Sequence, residues 1–178
     1  MPAKKNILAI IGSTRINSSN LKLIKKVEEL TAELFNLEIF DTLAGLPHFN
    51  PDIDQENPPI KIAEFRQQIL KADAVIICTP EYIFSLPGSL KNAIEWCVST
   101  TVFSQKNVGL ITAAASGEKA HEELKLIMKT IEARFSEKTT LLIKGIKGKF
   151  DEKGQLTDIK TIEQLKGFIA ALQKQLND

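Results

Sequence analysis

The sequence predicts an α/β chain: a doubly wound, five-stranded parallel sheet with helices on both faces. Three observations predict it. Short apolar runs alternate along the chain with stretches that are apolar at every third and fourth position. The first and third of those runs are apolar at consecutive positions, as strands buried on both faces must be. The length, 178 residues, suits one domain with a substantial core.

The first strand is Asn6–Ile11. Asn20 is placed to cap the helix that follows, whose apolar positions are Leu21, Ile24, Val27, Leu30 and Leu34. Leu37–Phe40 alternates and suits a sheet edge. Residues 41–59 carry Pro47, Pro51, Pro58 and Pro59 among Asp and Asn, a long loop that is either functional or a mobile surface connection. Ile62, Phe65 and Ile69 mark the second helix, and Ala74–Cys78 is a central third strand. The third helix starts near Pro87, and Leu90, Ala93, Ile94, Cys97 and Val98 form one stripe. Val108–Thr112 is the fourth strand. Leu124, Ile127, Met128, Ile131 and Phe135 share a face of the fourth helix. Leu141–Ile143 is the fifth strand, and Gly145, Gly148 and Gly154 punctuate an irregular stretch behind it. The last helix presents Leu165, Phe168, Ile169, Leu172 and Leu176. Five strands and five helices in this alternation fit the flavodoxin-like order 2-1-3-4-5. A ligand then belongs beyond the carboxyl ends of the strands, near the switch point between strands one and three.

Composition excludes several functions. Lys+Arg 23 against Asp+Glu 22 leaves +1, too little for a phosphate-dominated nucleic-acid binder. No apolar run exceeds five residues, against about 20 for a membrane span and about 7–15 for an export signal, so a chain without membrane or export segment is expected, in the cytoplasm. Cys78 and Cys97 make no disulfide framework, and His48 and His121 supply no zinc ligand set.

The loop Gly12–Asn20 joins the first strand to the first helix. It carries the hydroxyls of Ser13, Thr14, Ser18 and Ser19, the amides of Asn17 and Asn20, and Arg15. Residues 1–26 contain six Lys/Arg and no acid. Hydroxyls, free backbone amides and a helix N-terminus make an anion site that suits a phosphate monoester. The same residues also serve helix initiation alone, and the loop leaves both readings open. It lacks the Gly-x-Gly-x-x-Gly dinucleotide fingerprint and the Gly-x-x-x-x-Gly-Lys-[Ser/Thr] triphosphatase loop.

Thr79–Trp96 is the most informative stretch. It reads Pro80-Glu81-Tyr82-Ile83-Phe84-Ser85-Leu86-Pro87-Gly88-Ser89-Leu90-Lys91-Asn92-Ala93-Ile94-Glu95-Trp96 after Thr79. It resembles the NADPH-dependent FMN reductase family, whose pattern is Pro-Glu-Tyr-Asn-x-Ser-x-Pro-Gly-x-Leu-Lys-Asn-Ala-Ile-Asp/Glu-Trp. The first loop resembles that family's Gly-Ser-x-Arg-x-x-Ser-x-Asn. The family includes quinone, azo and chromate reductases. The resemblance implies one FMN-binding domain over residues 1–178. Ser13, Arg15, Ser18, Ser19 and Asn20 would hold the FMN phosphate. Pro80, Glu81, Tyr82, Ile83 and Ser85 would line the isoalloxazine. Ile83 departs from the pattern: a backbone amide survives there, but the usual Asn side chain does not.

The loop after the fourth strand is a partial match. The resemblance would have Ala114, Ala115 and Ser116 complete the pocket, where relatives usually have a Gly-rich stretch and an Arg. His121 reads as an exposed first-turn residue and Cys78 as a buried small hydrophobe. The resemblance further implies an oxidoreductase in which NADPH or NADH passes a hydride to FMN and a small acceptor takes two electrons. That acceptor could be flavin, quinone, azo compound or metal oxyanion. No catalytic side chain is required, because the flavin carries the chemistry. Arg15 is also a candidate for meeting the extra phosphate of NADPH. Relatives form dimers or tetramers, so a homodimer or homotetramer is expected. The competing class is a flavodoxin-type electron carrier without its own turnover. Such carriers are strongly acidic, and +1 argues against one.

Overall fold

The computed structural model describes residues 3–54 and 57–178. Its strands are β1 (Lys5–Ile11), β2 (Phe35–Phe40), β3 (Ala74–Thr79), β4 (Asn107–Ala114) and β5 (Thr140–Lys144). The helices are α1 (Ser19–Thr31), α2 (Ile60–Lys71), α3 (Gly88–Glu95), α4 (Glu118–Thr130) and α5 (Ile159–Asn177). The sheet order is β2-β1-β3-β4-β5 and every pairing is parallel. The expected architecture and strand order are both observed.

The continuous apolar strands divide by parity, because successive side chains point to opposite faces. Leu8 and Ile10 of β1, with Val75 and Ile77 of β3, pack against α2, α3 and α4 through Phe65, Leu90 and Leu124. Ile7, Ala9 and Ile11, with Ile76 and Cys78, pack against α1 and α5 through Leu23, Val27, Leu165 and Phe168. Each large aliphatic side chain removed from water in this way contributes roughly 1.5–3 kcal/mol. Gly109 of β4 is a packing requirement: a Cβ there would lie 2.5 Å from Cζ of Phe168.

Three helix stripes end earlier than periodicity suggests. Leu34 lies beyond the end of α1 and is exposed. Val98 lies beyond α3 and is 62% exposed, because Cys97 and Val98 bond back to Ile94 and Glu95 in a tightened turn that rotates Val98 outward. Ile131 and Phe135 lie beyond α4, yet both still pack on the core. The cap of α1 is also not Asn20. Ser18 Oγ accepts the Leu21 amide at 3.0 Å, so Ser18 is the capping residue.

The described part of the 41–59 loop is tied to α3 and the turn that ends it. The carbonyl of Pro47 accepts from Asn92 Nδ2 at 2.9 Å and from Trp96 Nε1 at 2.8 Å. The Phe49 amide donates to Asn92 Oδ1 at 2.7 Å, and the Phe49 ring meets Trp96 edge-on. Asn92, which the helix pattern alone would leave to solvent, is a loop anchor. Further on, the buried carboxylate of Asp54 is paired with Arg66 and accepts the Ser99 hydroxyl at 2.6 Å. Arg66 Nε donates to the Trp96 carbonyl at 2.7 Å.

Candidate functional site

The site is built at the carboxyl ends of the strands. Gly12 follows β1 and donates its amide to the Cys78 carbonyl of β3 at 2.8 Å. A Cβ on Gly12 would sit 2.5 Å from Thr79 Oγ1, so only glycine lets the first loop close this tightly on β3. The loop then turns into α1. With Ser18 as cap, the amides of Ser19 and Asn20 are first-turn donors with no preceding carbonyl to bond within the helix. They carry the positive end of the helix dipole. Asn20 is buried and its side chain points inward. Its Nδ2 donates to the Ala113 carbonyl at 3.2 Å, and its Oδ1 accepts from Cys78 Sγ at 3.2 Å. Asn20 therefore draws the start of α1 over the end of β4, with Oδ1 and one Nδ2 hydrogen engaged within the protein. Complete burial pushes the Cys78 thiol far above its usual range, which keeps it protonated and unreactive.

The loop after β3 supplies the opposite wall. The Glu81 carboxylate does not face the cleft with free charge. It accepts the backbone amides of Gly117 at 2.9 Å, Lys119 at 3.1 Å and Ala120 at 3.2 Å. Gly117, in the left-handed region at φ 85°, precedes α4 and offers no side-chain cap of its own. Glu81 caps α4 from another loop and gives its negative charge to that helix's dipole.

Between these walls lies a cleft of about 430 Å³. Ser13, Arg15, Ser18, Ser19 and Asn20 line it from the first loop, Pro80, Glu81 and Tyr82 from the second, and Ala114 and Ala115 from the third. These ten sequence-predicted residues are thus brought together. Three others fall outside the lining. Ile83 and Phe84 both have positive φ, 52° and 57°, and form a two-residue turn closed by Tyr82–Ser85 hydrogen bonds of 3.0 and 3.1 Å. That turn projects Ile83 outward at 96% exposure. Ser85 Oγ donates to Glu123 Oε2 of α4 at 2.7 Å, and the exposed Ser116 lies nearest Glu118. His121 is half-buried rather than exposed, with Nδ1 3.0 Å from Thr112 Oγ1. Burial, with the nearby Lys125 charge, lowers its pKa.

Sequence reasoning missed one wall. Gly145, Ile146, Lys147 and Gly148 behind β5 also line the cleft. The glycine spacing was visible, but nothing local says that this turn folds toward the first loop. The chemistry of the assembled donor set suits FMN. Hydroxyls, first-turn amides and Arg15 at the first loop would suit a phosphate, and small alanines beside Pro80 and Tyr82 would offer a flat ring an uncluttered surface.

Residues 5–146 match the family described as NADPH-dependent FMN reductase. The chain belongs to this family. It is 31% identical over 172 residues to an NAD(P)H-dependent FMN reductase of Pseudomonas aeruginosa, covering 94% of this chain and 92% of that one. It is 28% identical to a quinone reductase of Escherichia coli, covering 96% and 95%. Among solved structures, it is similar to the flavoenzyme NAD(P)H:(acceptor) oxidoreductase FerB of Paracoccus denitrificans. That likeness has a TM-score of 0.79 and 25% identity, and covers 97% of each chain. This FMN reductase family member therefore has the oxidoreductase class, FMN dependence and nicotinamide co-substrate that its motifs implied. Among the described residues no helix is long and apolar enough to cross a membrane.

Proposed function

We propose that the cleft binds FMN with its phosphate at the start of α1 and its ring between the Pro80–Tyr82 loop and Ala114–Ala115. The observation that carries this reading is the meeting of a hydroxyl-rich helix start and the Pro-Glu-Tyr loop in one cleft at the β1/β3 switch point. When bound, FMN supplies two-electron chemistry, taking a hydride from NADPH or NADH and passing two electrons to a small acceptor. Quinones are the acceptor class this reading favours, after the quinone reductase relative.

The chain's own residues bind and orient. Ser13, Ser18, Ser19 and Arg15 receive the phosphate. Asn20 fixes where α1 starts by holding Ala113, and so sets the distance from phosphate site to ring site. Glu81 holds the ring loop to α4, while its neutralisation by helix amides keeps the cleft receptive to anions. The Glu81 backbone amide is the fixed donor this loop offers to the side of the ring where charge accumulates on reduction, since Pro80 carries no N–H and the Tyr82 amide is taken by the Ser85 carbonyl. Tyr82, at the rim, shields one edge from water. Ile83, Ser85 and Ser116 act outside the cleft, as turn and loop supports.

Residues 1–178 act as one FMN-binding domain in this reading, working in the cytoplasm as a homodimer or homotetramer, with neither nucleic acid nor membrane as partner. Light scattering on the purified chain reads the assembly. The central test is the visible spectrum of protein reconstituted with FMN, before and after anaerobic NADPH. Retained yellow colour that bleaches on addition supports the function. A preparation that passes FMN through a desalting column unbound overturns it. Arg15→Ala should weaken FMN, NADPH or both; unchanged affinity for each removes Arg15 from the site.

A further inference from the structure

We infer that Lys147, in the turn behind β5, is a second cationic ligand for the FMN phosphate, facing the start of α1 across the cleft. The inference rests on the proposed FMN site and adds a residue from outside the first loop.

Two tethers place it. Asn20 Nδ2 binds the Ala113 carbonyl at 3.2 Å and hangs the N-terminus of α1 on the end of β4. The Gly145 amide binds the Ala115 carbonyl at 3.1 Å and hangs the 145–148 turn on the same end of β4. Phosphate loop and turn are therefore held two residues apart on one strand end, although β1 and β5 are separated by β3 and β4 in the sheet. The turn's conformation is specified locally. Gly145 is left-handed at φ 64°, the Gly148 amide returns to the Gly145 carbonyl at 3.1 Å, and Ile146 is buried in the core. Ile146 turns inward, and its exposed neighbour Lys147 is among the residues that line the cleft.

The charge pattern singles out this lysine. Its neighbours are occupied: Lys144 pairs with Glu118, and Lys149 reaches Asp158 at 3.0 Å. Among the described residues no carboxylate lies within ion-pair distance of Lys147. Glu81, the one acid in the lining, is turned onto the α4 amides. A phosphate monoester brings nearly two negative charges at neutral pH. Arg15 and the helix start answer part of that charge, and an uncompensated ammonium on the facing wall answers the rest.

The phosphate could in principle belong to FMN or to the 2′ position of NADPH, and the test separates them. FMN and riboflavin affinities are measured by flavin fluorescence with apoprotein of wild type, Lys147→Gln and Lys147→Arg. The KM values for NADPH and NADH are measured with the FMN-loaded protein. The expected result is about tenfold weaker FMN binding in Lys147→Gln, with recovery in Lys147→Arg and riboflavin affinity unchanged. Unchanged FMN affinity in Lys147→Gln overturns the assignment, and so does a loss confined to the NADPH KM. An equal loss for FMN and riboflavin also overturns it, since the residue then supports the cleft rather than the phosphate. Failure of wild type to bind either flavin is a different outcome, which removes the FMN site itself.

Discussion

The Glu81 carboxylate accepts the Gly117 backbone amide at 2.9 Å and so joins the loop after β3 to the loop after β4. One side chain caps α4 and holds two walls of the cleft together. Lys119 and Ala120 complete the cap at 3.1 and 3.2 Å.

Replacing Glu81 with alanine leaves three amides at the start of α4, those of Gly117, Lys119 and Ala120, without this acceptor. The expected cost is about 1–2 kcal/mol, the range for a lost helix cap, read from urea midpoints. FMN affinity should fall with it, since the Pro80–Tyr82 wall loses its tether. Glu81→Gln should retain part of both. A Glu81→Ala protein with unchanged flavin affinity would show that the tether does not set the ring site.

Ile83 should respond in the opposite direction. A β-branched residue is disfavoured in the left-handed region, by roughly 1–2 kcal/mol. Ile83→Gly and Ile83→Asn are expected to raise the urea midpoint, by an amount equivalent to about 1 kcal/mol. Its side chain is 96% exposed, so no packing is lost to offset the gain. A lowered midpoint in both variants would mean that the exposed isoleucine is covered in the native assembly.

Arg66→Ala should be among the most damaging single changes outside the cleft. It strands the buried Asp54 carboxylate and removes the donor to the Trp96 carbonyl. Breaking one side of such a pair costs about 3–5 kcal/mol. Asp54→Asn/Arg66→Met should recover part of the loss in chemical denaturation. If single and double variants are equally stable to within error of wild type, the pair does not anchor the 47–54 segment.

His121 predicts a pH dependence whose sign follows from its environment. Burial lowers its folded pKa from the ordinary 6.5. Above that value both states are neutral and the residue contributes nothing to the slope. As pH falls below it, the unfolded chain takes up the proton first, so stability declines until pH passes the folded pKa. His121→Gln should therefore flatten the stability profile between pH 7 and 5 by a fraction of one proton. Superimposable profiles for the two proteins would place the imidazole in solvent.

Local signals in the chain were legible, and contacts between distant residues were not. Strand identity was legible because buried parallel strands are apolar at every position, and Ala74–Cys78 reads that way without any partner. Helices were legible from their stripes, while their ends were not, since Val98 and Leu34 continue a stripe that the backbone has already left. The positions of Ser13, Ser18 and Tyr82 in the cleft followed from element order, because a doubly wound sheet always gathers its strand-end loops on one side.

By itself, then, the sequence determined the alternation of elements, the strand order, the phosphate-type loop and the Pro-Glu-Tyr loop, all of which are written in local periodicity or in contiguous motifs. Only the tertiary structure decided what those residues do with their polar atoms. Asn20 turned from helix cap to strap on Ala113, Glu81 from ring neighbour to cap of α4, Asn92 from surface residue to loop anchor, and the 145–148 turn became a wall of the cleft. Each of these contacts joins groups about 30 or more residues apart in the chain. A buried polar atom takes whichever partner packing brings within reach, and that partner leaves no mark on the residues beside it.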